Sequence, residues 1–274
     1  MISTKNYNRV SDWINECQSK GKLSFSLKEV KSAFKNDTDI TIKFGLNRLV
    51  KKQKIVSIFK GYYLIIPPQY YSKGILPPAL FIDGLMRYLE RKYYVALLNA
   101  GALNGAGHQQ PQEYFVITEY PVLRPTNKRG IKINYISTRQ IPPIAFIEKK
   151  KTETGYINVS NPTLTTIDLI KYEKRIGGLN RATTVINELL ENIKLKDITK
   201  ELVDYANATT LQRFGYILEE VLGKQNLADK LFSLCQKADI KFYQIPLKSS
   251  GEKIKESLNE KWKIIVNTDI EIDE

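Results

Sequence analysis

Histidine and cysteine are scarce in this chain of 274 residues. His108 is the single histidine, and Cys17 and Cys235, the two cysteines, lie far apart in the sequence. A disulfide framework needs several cysteines and a cysteine-based zinc site needs closely spaced pairs, so we expect neither. A lone histidine also argues against Ser-His-Asp and Cys-His catalysis. We therefore predict no catalytic residue, no metal site, no cofactor and no enzymatic activity.

Long hydrophobic runs are missing as well. The longest apolar stretches, such as residues 62–68, are far shorter than the roughly 20 residues that cross a bilayer. The first residues, MISTKNYNRVSDW, lack the apolar segment of a secretory signal. We expect a cytoplasmic protein with reduced thiols and no membrane partner.

Acidic residues are too few to balance the basic ones, and the imbalance is uneven along the chain. The chain has 42 Lys and Arg against 29 Asp and Glu, a net charge of +13. Residues 1–76 hold 14 basic and 5 acidic residues (+9), and the other 198 residues hold 28 and 24 (+4). Positive charge concentrated on a small module is typical of a nucleic-acid binder, although a solvated lysine-rich surface gives the same count. We do not expect the rest of the chain to bind nucleic acid.

Apolar periodicity predicts three helices and a hairpin in the first 66 residues. The helices are expected to begin near Val10, after Ser26 and after Thr38 or Asp39. Two β-branched and aromatic runs within 55–66 then flank the turn Lys60-Gly61. Three helices followed by a hairpin is the order of a winged helix-turn-helix, whose third helix enters the DNA major groove. Winged helices also dock proteins, and that alternative stays open.

The third helix supplies most of the predicted DNA contacts. Its predicted core face consists of Ile42, Leu46, Leu49 and Val50, so the opposite face is expected to meet DNA. On that face Thr41 and Asn47 suit base edges and Phe44 suits thymine methyl groups, while basic side chains suit phosphates. The predicted DNA-binding residues are Thr41, Lys43, Phe44, Asn47, Arg48, Lys51, Lys52, Lys54 and, at the wing tip, Lys60.

Paired prolines at 67–68 and 77–78 predict a linker and a domain boundary near residue 70. The predicted fold class is α+β, with a winged helix-turn-helix in 1–70, an α+β region in 71–160 and a helical bundle with short terminal strands in 161–274. Residues 71–274 are expected to form one domain. In the middle region we predict a mostly antiparallel sheet, with helices over 79–92 and 94–103 and strands over 114–118, 131–137, 144–148 and 156–159.

Three further motifs have both a chemical and a structural interpretation. The glycines of GALNGAG (101–107) suit a phosphate loop, but the Gly-Lys-Ser/Thr ending is missing, so a helix end and turn is favoured. His108 with Glu113 and Glu119 offers ligands for a nuclease metal, provided that one unbroken strand puts both carboxylates on the same face. A hydrogen-bonding role for His108 is favoured, because it has no clear carboxylate partner. Lys149–Lys151 could form a secondary phosphate-binding patch, but a solvated loop is favoured.

Three segments are distinctive in their order and spacing. They are FKGYYLI at the end of the hairpin, YYVALLNAGALNGAGHQQPQEYFVIT at 93–118, and SNPTLTTIDLI…GGLNRATTVINELL…LQRFGYILEEVLG within 160–223. Together they resemble the AbiEi family, antitoxins of type IV toxin–antitoxin systems that act in phage defence. The resemblance covers about residues 9–225. Phe44 departs from it, because related winged helices often have a basic residue at this position.

The resemblance implies a function for each end of the chain. It implies a winged helix that represses its own operon by binding inverted repeats in the double-stranded DNA of its promoter. It also implies that 71–274 is an antitoxin domain counteracting a cognate nucleotidyltransferase-like toxin, with no need of a stable complex. Two alternatives stay open: a DNA-binding, metal-dependent nuclease that uses His108 and Glu113, and a ligand-responsive winged-helix regulator with a polar-lined pocket in its middle domain.

Overall fold

Helices and short strands alternate along residues 9–106, 111–248 and 257–272, which are the residues that the computed structural model describes. The helices are α1 (Val10–Ser19), α2 (Leu27–Ala33), α3 (Asp39–Lys51), α4 (Ile82–Tyr88), α5 (Leu97–Leu103), α6 (Pro162–Lys171), α7 (Leu179–Leu189), α8 (Lys200–Tyr205), α9 (Ala208–Tyr216) and α10 (Gln225–Lys237). The strands are β1 (Ser24–Ser26), β2 (Ile55–Phe59), β3 (Tyr62–Ile65), β4 (Tyr93–Val95), β5 (Glu113–Glu119), β6 (Thr126–Lys128), β7 (Ile131–Thr138), β8 (Ile147–Thr152), β9 (Gly155–Ser160), β10 (Ile245–Pro246), β11 (Ser257–Asn259) and β12 (Ile264–Val266). The α+β class that the sequence predicts is confirmed.

The first three helices and a three-stranded sheet share one apolar core. A capping box begins α2, with Glu29 N donating to Ser26 Oγ at 3.2 Å and Ser26 N donating to Glu29 Oε2 at 2.7 Å. β3 lies between β1 and β2 and is antiparallel to both. In the core, the ring of Trp13 meets Phe25 edge to face, with centroids 5.3 Å apart. These elements confirm the three helices and the hairpin predicted from periodicity.

The chain forms two compact units, each assembled from three separate stretches. The first unit comprises residues 1–93, 112–141 and 149–158, and the second comprises 94–111, 142–148 and 159–274. The chain therefore leaves the first unit and returns to it twice. The boundary near residue 70 stays a prediction about the extent of the winged-helix module.

Strand pairing in the middle region differs from the prediction. β5 and β7 run parallel, from Glu113 opposite Lys132 to Glu119 opposite Thr138, so the expected mostly antiparallel sheet is wrong here. The reason lies in the connection between them, because β6 pairs antiparallel with β7 across the turn Arg129-Gly130. This return brings the chain back before β7 begins, which a parallel pair requires. β4 and β9 are also parallel, with Val95 opposite Val159.

The predicted helix over 94–103 is divided in the structure. Tyr93–Val95 forms β4 with all three side chains buried, and α5 begins only at Leu97. Leu97 has a φ of +55°, which marks a sharp change of backbone direction between the strand and the helix. Aromatic and β-branched residues fit a buried strand, and this preference outweighs the helical spacing of the segment.

Several other predicted boundaries also move. The predicted helix over 79–92 shortens to α4. The strand expected over 144–148 begins at Ile147 instead, because a 3-10 turn occupies Ile144–Phe146. This strand, β8, includes Lys149–Lys151, so the prediction of a loop there is wrong.

α6 is the buried centre of the second unit. Every residue from Thr163 to Ile170 is buried, and the helix packs against α5, α7 and α9. Asn161 caps its first turn by accepting a hydrogen bond from Leu164 N at 2.9 Å, and Pro162 occupies the first helical position. The start of α6 at Pro162 is therefore confirmed.

The C-terminal segment docks on the helices of the second unit through Trp262, which is fully buried. A Cβ at Gly215 would lie 2.2 Å from the Trp262 ring, so only glycine permits this packing on α9. Trp262 Nε1 donates to Glu219 Oε2 at 2.6 Å, and Gln212 Nε2 donates to the Trp262 carbonyl at 2.8 Å. The small sheet β10-β12-β11 surrounds this anchor. Trp262 thus holds a tail whose role the sequence leaves open.

No helix in the described ranges combines the length and the apolar character that a membrane span requires.

Candidate nucleic-acid interface

The outer face of α3 is the most distinctive surface of the first three helices. Ile42, Leu46 and Leu49 are buried, as predicted, and Val50 is half-buried against the same core. Successive residues of an α-helix turn by about 100°, so Ile40, Phe44 and Lys51 point directly away from that core. Ile40 is 66% exposed and Phe44 is 72% exposed. Two adjacent apolar side chains therefore face outward in the middle of a polar helix surface.

All nine predicted DNA-binding residues are exposed, from Thr41 in the first turn of α3 to Lys60 in the hairpin turn. Their positions differ in quality. Asn47 and Arg48 lie about 50° to either side of the centre of the outer face, and Thr41 and Lys43 lie farther out on its two flanks. The Thr41 hydroxyl is also 3.0 Å from the hydroxyl of Thr38, the residue that caps α3. Asn47 is therefore better placed than Thr41 to contact a second molecule.

Ile40 also lies on this outer face, although the sequence did not indicate it as a contact residue. It lies in the first turn of α3 and was not among the residues predicted to contact DNA. Its position four residues before Phe44 puts both side chains on one side of the helix. The positions of Ile42 and Leu46 around the helix could have identified Ile40, because they define the core face and Ile40 lies opposite it.

Basic side chains at the end of α3 are free of acidic partners. Arg48, Lys51, Lys52 and Lys54 make no ion pair with any residue that the structure describes. A shallow depression of about 410 Å³ is lined by Lys51, Lys52, Gln53, Lys54 and Tyr71. Unpaired cations beside an aromatic ring form a surface suited to an anion.

An acidic group stands at the other end of α3. Asp39 accepts a hydrogen bond from Lys31 Nζ at 2.7 Å, and this bond holds the pKa of the carboxyl below its usual range. Lys31 balances the Asp39 charge at the N-terminus of the helix. The net positive charge of α3 therefore lies at its C-terminal half.

The hairpin turn that carries Lys60 is fixed in place. Gly61 has a φ of +74°, and its carbonyl accepts a hydrogen bond from Leu27 N at 2.7 Å. The Tyr88 hydroxyl donates to the Lys60 carbonyl at 3.0 Å. A Cβ at position 61 would lie 2.7 Å from that hydroxyl, so glycine is needed for the contact. Tyr88, which sequence analysis did not single out, thus holds the backbone of Lys60.

The charge divides more sharply between the two structural units than along the sequence. The first unit has 25 Lys and Arg against 10 Asp and Glu, which leaves +15. The second has 17 against 19, which leaves −2. Two segments that follow residue 93, namely 112–141 and 149–158, carry eight of the basic residues of the first unit.

The carboxylates considered for a nuclease metal are far apart. Glu113 and Glu119 share one face of the unbroken strand β5, but they stand at its two ends, roughly 20 Å apart. Glu113 pairs with Lys132 at 2.6 Å, and Glu119 accepts from Lys92 N at 3.2 Å. No group of three or more His, Cys, Asp or Glu within the described ranges is close enough to hold a metal ion. His108 lies outside those ranges.

The glycine-rich segment 101–107 ends a helix over the residues that are described. Gly105 has a φ of +88°, and Ala106 N donates to the Gly101 carbonyl at 2.8 Å. A left-handed glycine with such a backward hydrogen bond is a common helix C-terminus. This confirms the structural interpretation over the phosphate loop.

A polar cavity of about 390 Å³ lies within the first unit, beside α2 and α4. Its polar groups are partnered with one another. Tyr62 Oη donates to Ser24 Oγ at 2.7 Å, Arg87 pairs with Asp83 at 2.9 Å, and Lys22 pairs with Glu29. A ligand-responsive regulator is expected to have its pocket in the middle region, but much of this lining comes from residues 21–62, and these pairs leave few polar groups to receive a ligand.

A buried polar network lies in the second unit. The Tyr94 hydroxyl donates to Asp168 Oδ2 at 3.0 Å and is also hydrogen-bonded to Tyr205. Asp168 Oδ1 has no hydrogen-bond partner among the described residues. Complete burial raises the pKa of Asp168 to about 7. The carboxyl is therefore partly protonated near neutral pH, and the network is a structural feature with a titratable centre.

This chain is similar to known proteins in its fold and, over part of its length, in its sequence. The structure is similar to the crystal structure of the RV2827C protein from Mycobacterium tuberculosis, with a TM-score of 0.67, 11% identity, and coverage of 95% of this chain and 92% of that chain. At this identity the likeness concerns the fold alone. No curated protein matches significantly in sequence. Residues 94–220 match the family model of the AbiEi antitoxin C-terminal domain. Residues 94–220, just under half of the chain, therefore form an AbiEi antitoxin C-terminal domain.

Proposed function

We propose that this antitoxin binds DNA through residues 1–70, folded as a winged helix-turn-helix. The order of α1, β1, α2, α3 and the β2–β3 hairpin supports this proposal, as does the strand order β1-β3-β2. In this arrangement α3 is the recognition helix and the turn at Lys60 is the tip of the wing. The single observation that carries the proposal is the exposed outer face of α3 beside four unpaired basic side chains.

The proposed contacts divide into base readers and phosphate binders. Asn47 reads an adenine edge in the major groove, and Phe44 contacts thymine methyl groups together with Ile40. Thr41 reads base edges from the flank of the helix. Backbone phosphates are bound by Lys43, Arg48, Lys51, Lys52, Lys54 and Lys60.

We infer that the DNA bound in the cell is the promoter of the protein's own operon, at inverted repeats, so that the antitoxin is also a transcriptional autorepressor. Inverted repeats place two copies of α3 in successive major grooves, about one helical turn or a multiple of it apart. The AbiEi domain and the basic surface of the first unit support this assignment.

The C-terminal part, residues 71–274, is proposed to act as one antitoxin domain with its helices arranged as a bundle. It counteracts a nucleotidyltransferase-like toxin without requiring a stable complex and without catalysis. The AbiEi domain at 94–220 supports the antitoxin role. The near-neutral charge of the second unit fits a function directed at protein rather than at DNA.

Titration of the full chain against the DNA upstream of its gene, at several salt concentrations, tests the DNA-binding part. We expect a retarded complex whose affinity falls steeply as salt rises, because bound cations release counterions from DNA. An unrelated duplex of equal length serves as the control and should bind more weakly. Binding that is absent, or insensitive to salt, would contradict the proposal. Co-expression with the adjacent toxin gene tests the antitoxin part, and growth arrest despite the antitoxin would contradict it.

A further inference from the structure

The basic surface of the first unit continues beyond α3 onto two segments outside the predicted contacts. Tyr71, which lines the depression with Lys51 and Lys54, begins the first of them. A turn follows, in which Gly74 N donates to the Tyr70 carbonyl at 2.8 Å. Lys73 lies exposed within this turn.

The second segment is the turn between β6 and β7, which a hydrogen bond ties to the first. Arg129 Nη1 donates to the Gly74 carbonyl at 2.7 Å. Gly74 has a φ of +61°, and a Cβ there would lie 2.6 Å from Arg129 Nη1. Both its backbone conformation and the close approach of the guanidinium therefore require glycine at position 74.

The hairpin turn presents its basic residues on a short, well-defined backbone. Lys128 pairs with Ile131 across the two residues Arg129 and Gly130, whose φ values are +47° and +81°. Two consecutive positive φ values are typical of the tight turns that join adjacent antiparallel strands. Lys128 and Arg129 are exposed at this turn.

Lys73, Lys128 and Arg129, here named the basic ridge, gather positive charge from distant parts of the sequence. The side chains of Lys73 and Lys128 make no ion pair with the residues that the structure describes. The Gly74–Arg129 bond holds the two lysines on neighbouring turns. The ridge lies next to Tyr71 and so continues from the unpaired cations at the end of α3.

We propose that the basic ridge binds the phosphate backbone of duplex DNA beyond the bases that α3 reads. The inference rests on the proposed function, because it extends the same DNA complex. A polyanion is the occupant that matches uncompensated cations on a unit with a net charge of +15. The contact adds affinity and footprint without sequence preference.

The test uses the full chain and a duplex selected by it from a random-sequence pool. A short duplex contains only the selected bases, and a long one adds about 10 base pairs, one helical turn, on each side. The ridge variant combines Lys73→Gln with Lys128→Gln and leaves Arg129 in place. The control variant combines Lys224→Gln with Lys230→Gln, two exposed lysines of the second unit, and loses the same charge.

On the long duplex, the slope of log affinity against log salt should become shallower by about 1.8 in the ridge variant, since each lost phosphate contact changes it by about 0.9. The control variant should match the unmodified chain, and both variants should match it on the short duplex. Hydroxyl-radical protection should retreat from the added flanks of the long site in the ridge variant alone.

Two outcomes would overturn the inference while leaving the proposed function intact. One is a ridge variant that behaves like the control on the long duplex. The other is an equal change on the short and long duplexes, which would indicate a general field effect and no contact beyond the core site. Failure of the unmodified chain to select any duplex would overturn the proposed DNA binding itself, and the inference with it.

Discussion

The first unit of the chain has a net charge of +15, and the second, with more residues, has −2. Counted along the sequence, the same residues give +9 for 1–76 and +4 for the remainder. The difference in net charge is larger between the structural units because segments 112–141 and 149–158 belong to the first unit and bring eight basic and three acidic residues to it. The division of net charge is therefore clearer between the two structural units than between the two stretches of sequence.

The two units also differ in the contacts that some of their charged side chains make. In the first unit, Arg48, Lys51 and Lys128 are exposed and make no ion pair with the described residues. In the second, Lys261 bridges Glu219 and Asp229 at 2.8 Å from each, and Asp168 is buried beside Tyr94. Both units contain ion pairs, but in the first unit several of the cations that make no ion pair with the described residues are grouped at the end of α3 and on the basic ridge. From this difference between the units, we expect substitutions of the buried residues in the second unit to change stability, and those of the exposed residues in the first unit to change DNA binding.

The largest expected effect is on the stability of the second unit. Trp262→Ala should lower the free energy of unfolding by about 3–5 kcal/mol, because it leaves a cavity against Gly215 and removes the hydrogen bond to Glu219. Denaturant unfolding measures the loss. Tyr243→Ala, at a residue that is 69% exposed, is the control and should change stability by about 0.5 kcal/mol or less. A similar loss for both variants would contradict the role of Trp262 as an anchor.

The next effect depends on pH and arises from Asp168. Its folded pKa of about 7 lies above the value of about 3.9 in an unfolded chain, so the folded state holds the proton more tightly. Stability from this group is complete below about pH 4 and falls as pH rises towards 7, by up to about 4 kcal/mol. Asp168→Asn removes the titration. The stability of the variant relative to the unmodified chain should therefore rise between pH 4 and pH 7.

Unfolding midpoints at several pH values in that window measure this difference. Asp204→Asn is the matched control, because Asp204 lies at the surface of α8 and pairs with Lys200. It should not reproduce the rise. A constant difference between Asp168→Asn and the unmodified chain at all pH values would show that Asp168 is ionised in the folded protein.

The local features were predictable, and those that depend on distant residues were not. The spacing of Ile42, Leu46 and Leu49 fixes which face of α3 is buried, because a helix repeats every 3.6 residues. β4 was missed because three apolar residues give no period with which to separate a strand from a helix. The parallel pairing of β5 and β7 depends on the return through β6, which no local pattern indicates. Likewise, nothing in the sequence near Gly74 points to Arg129.

Within the first unit, substitutions of Asn47 and Lys60 test the proposed division between base readers and phosphate binders. Asn47→Ala should weaken binding to the specific site by about 1–3 kcal/mol and leave unrelated duplexes almost unaffected. Lys60→Ala should weaken all duplexes alike and make the salt slope shallower by about 0.9. Parallel titrations with specific and unrelated DNA measure both. Equal losses on both duplexes for Asn47→Ala would remove it from the base readers.

The smallest expected effect concerns Ile40 and Phe44, the apolar pair on a surface otherwise suited to anions. Replacing a contacted thymine with uracil removes one methyl group and should lower affinity by up to about 0.8 kcal/mol, roughly fourfold. The same replacement should have no effect on DNA binding by the Ile40→Ala, Phe44→Ala double variant, because the methyl group then has no apolar partner. Scanning each thymine of the bound duplex in turn locates the contacted positions. If no thymine of that duplex is sensitive, the apolar pair does not read DNA, and the outer face of α3 contributes only through Asn47 and its charges.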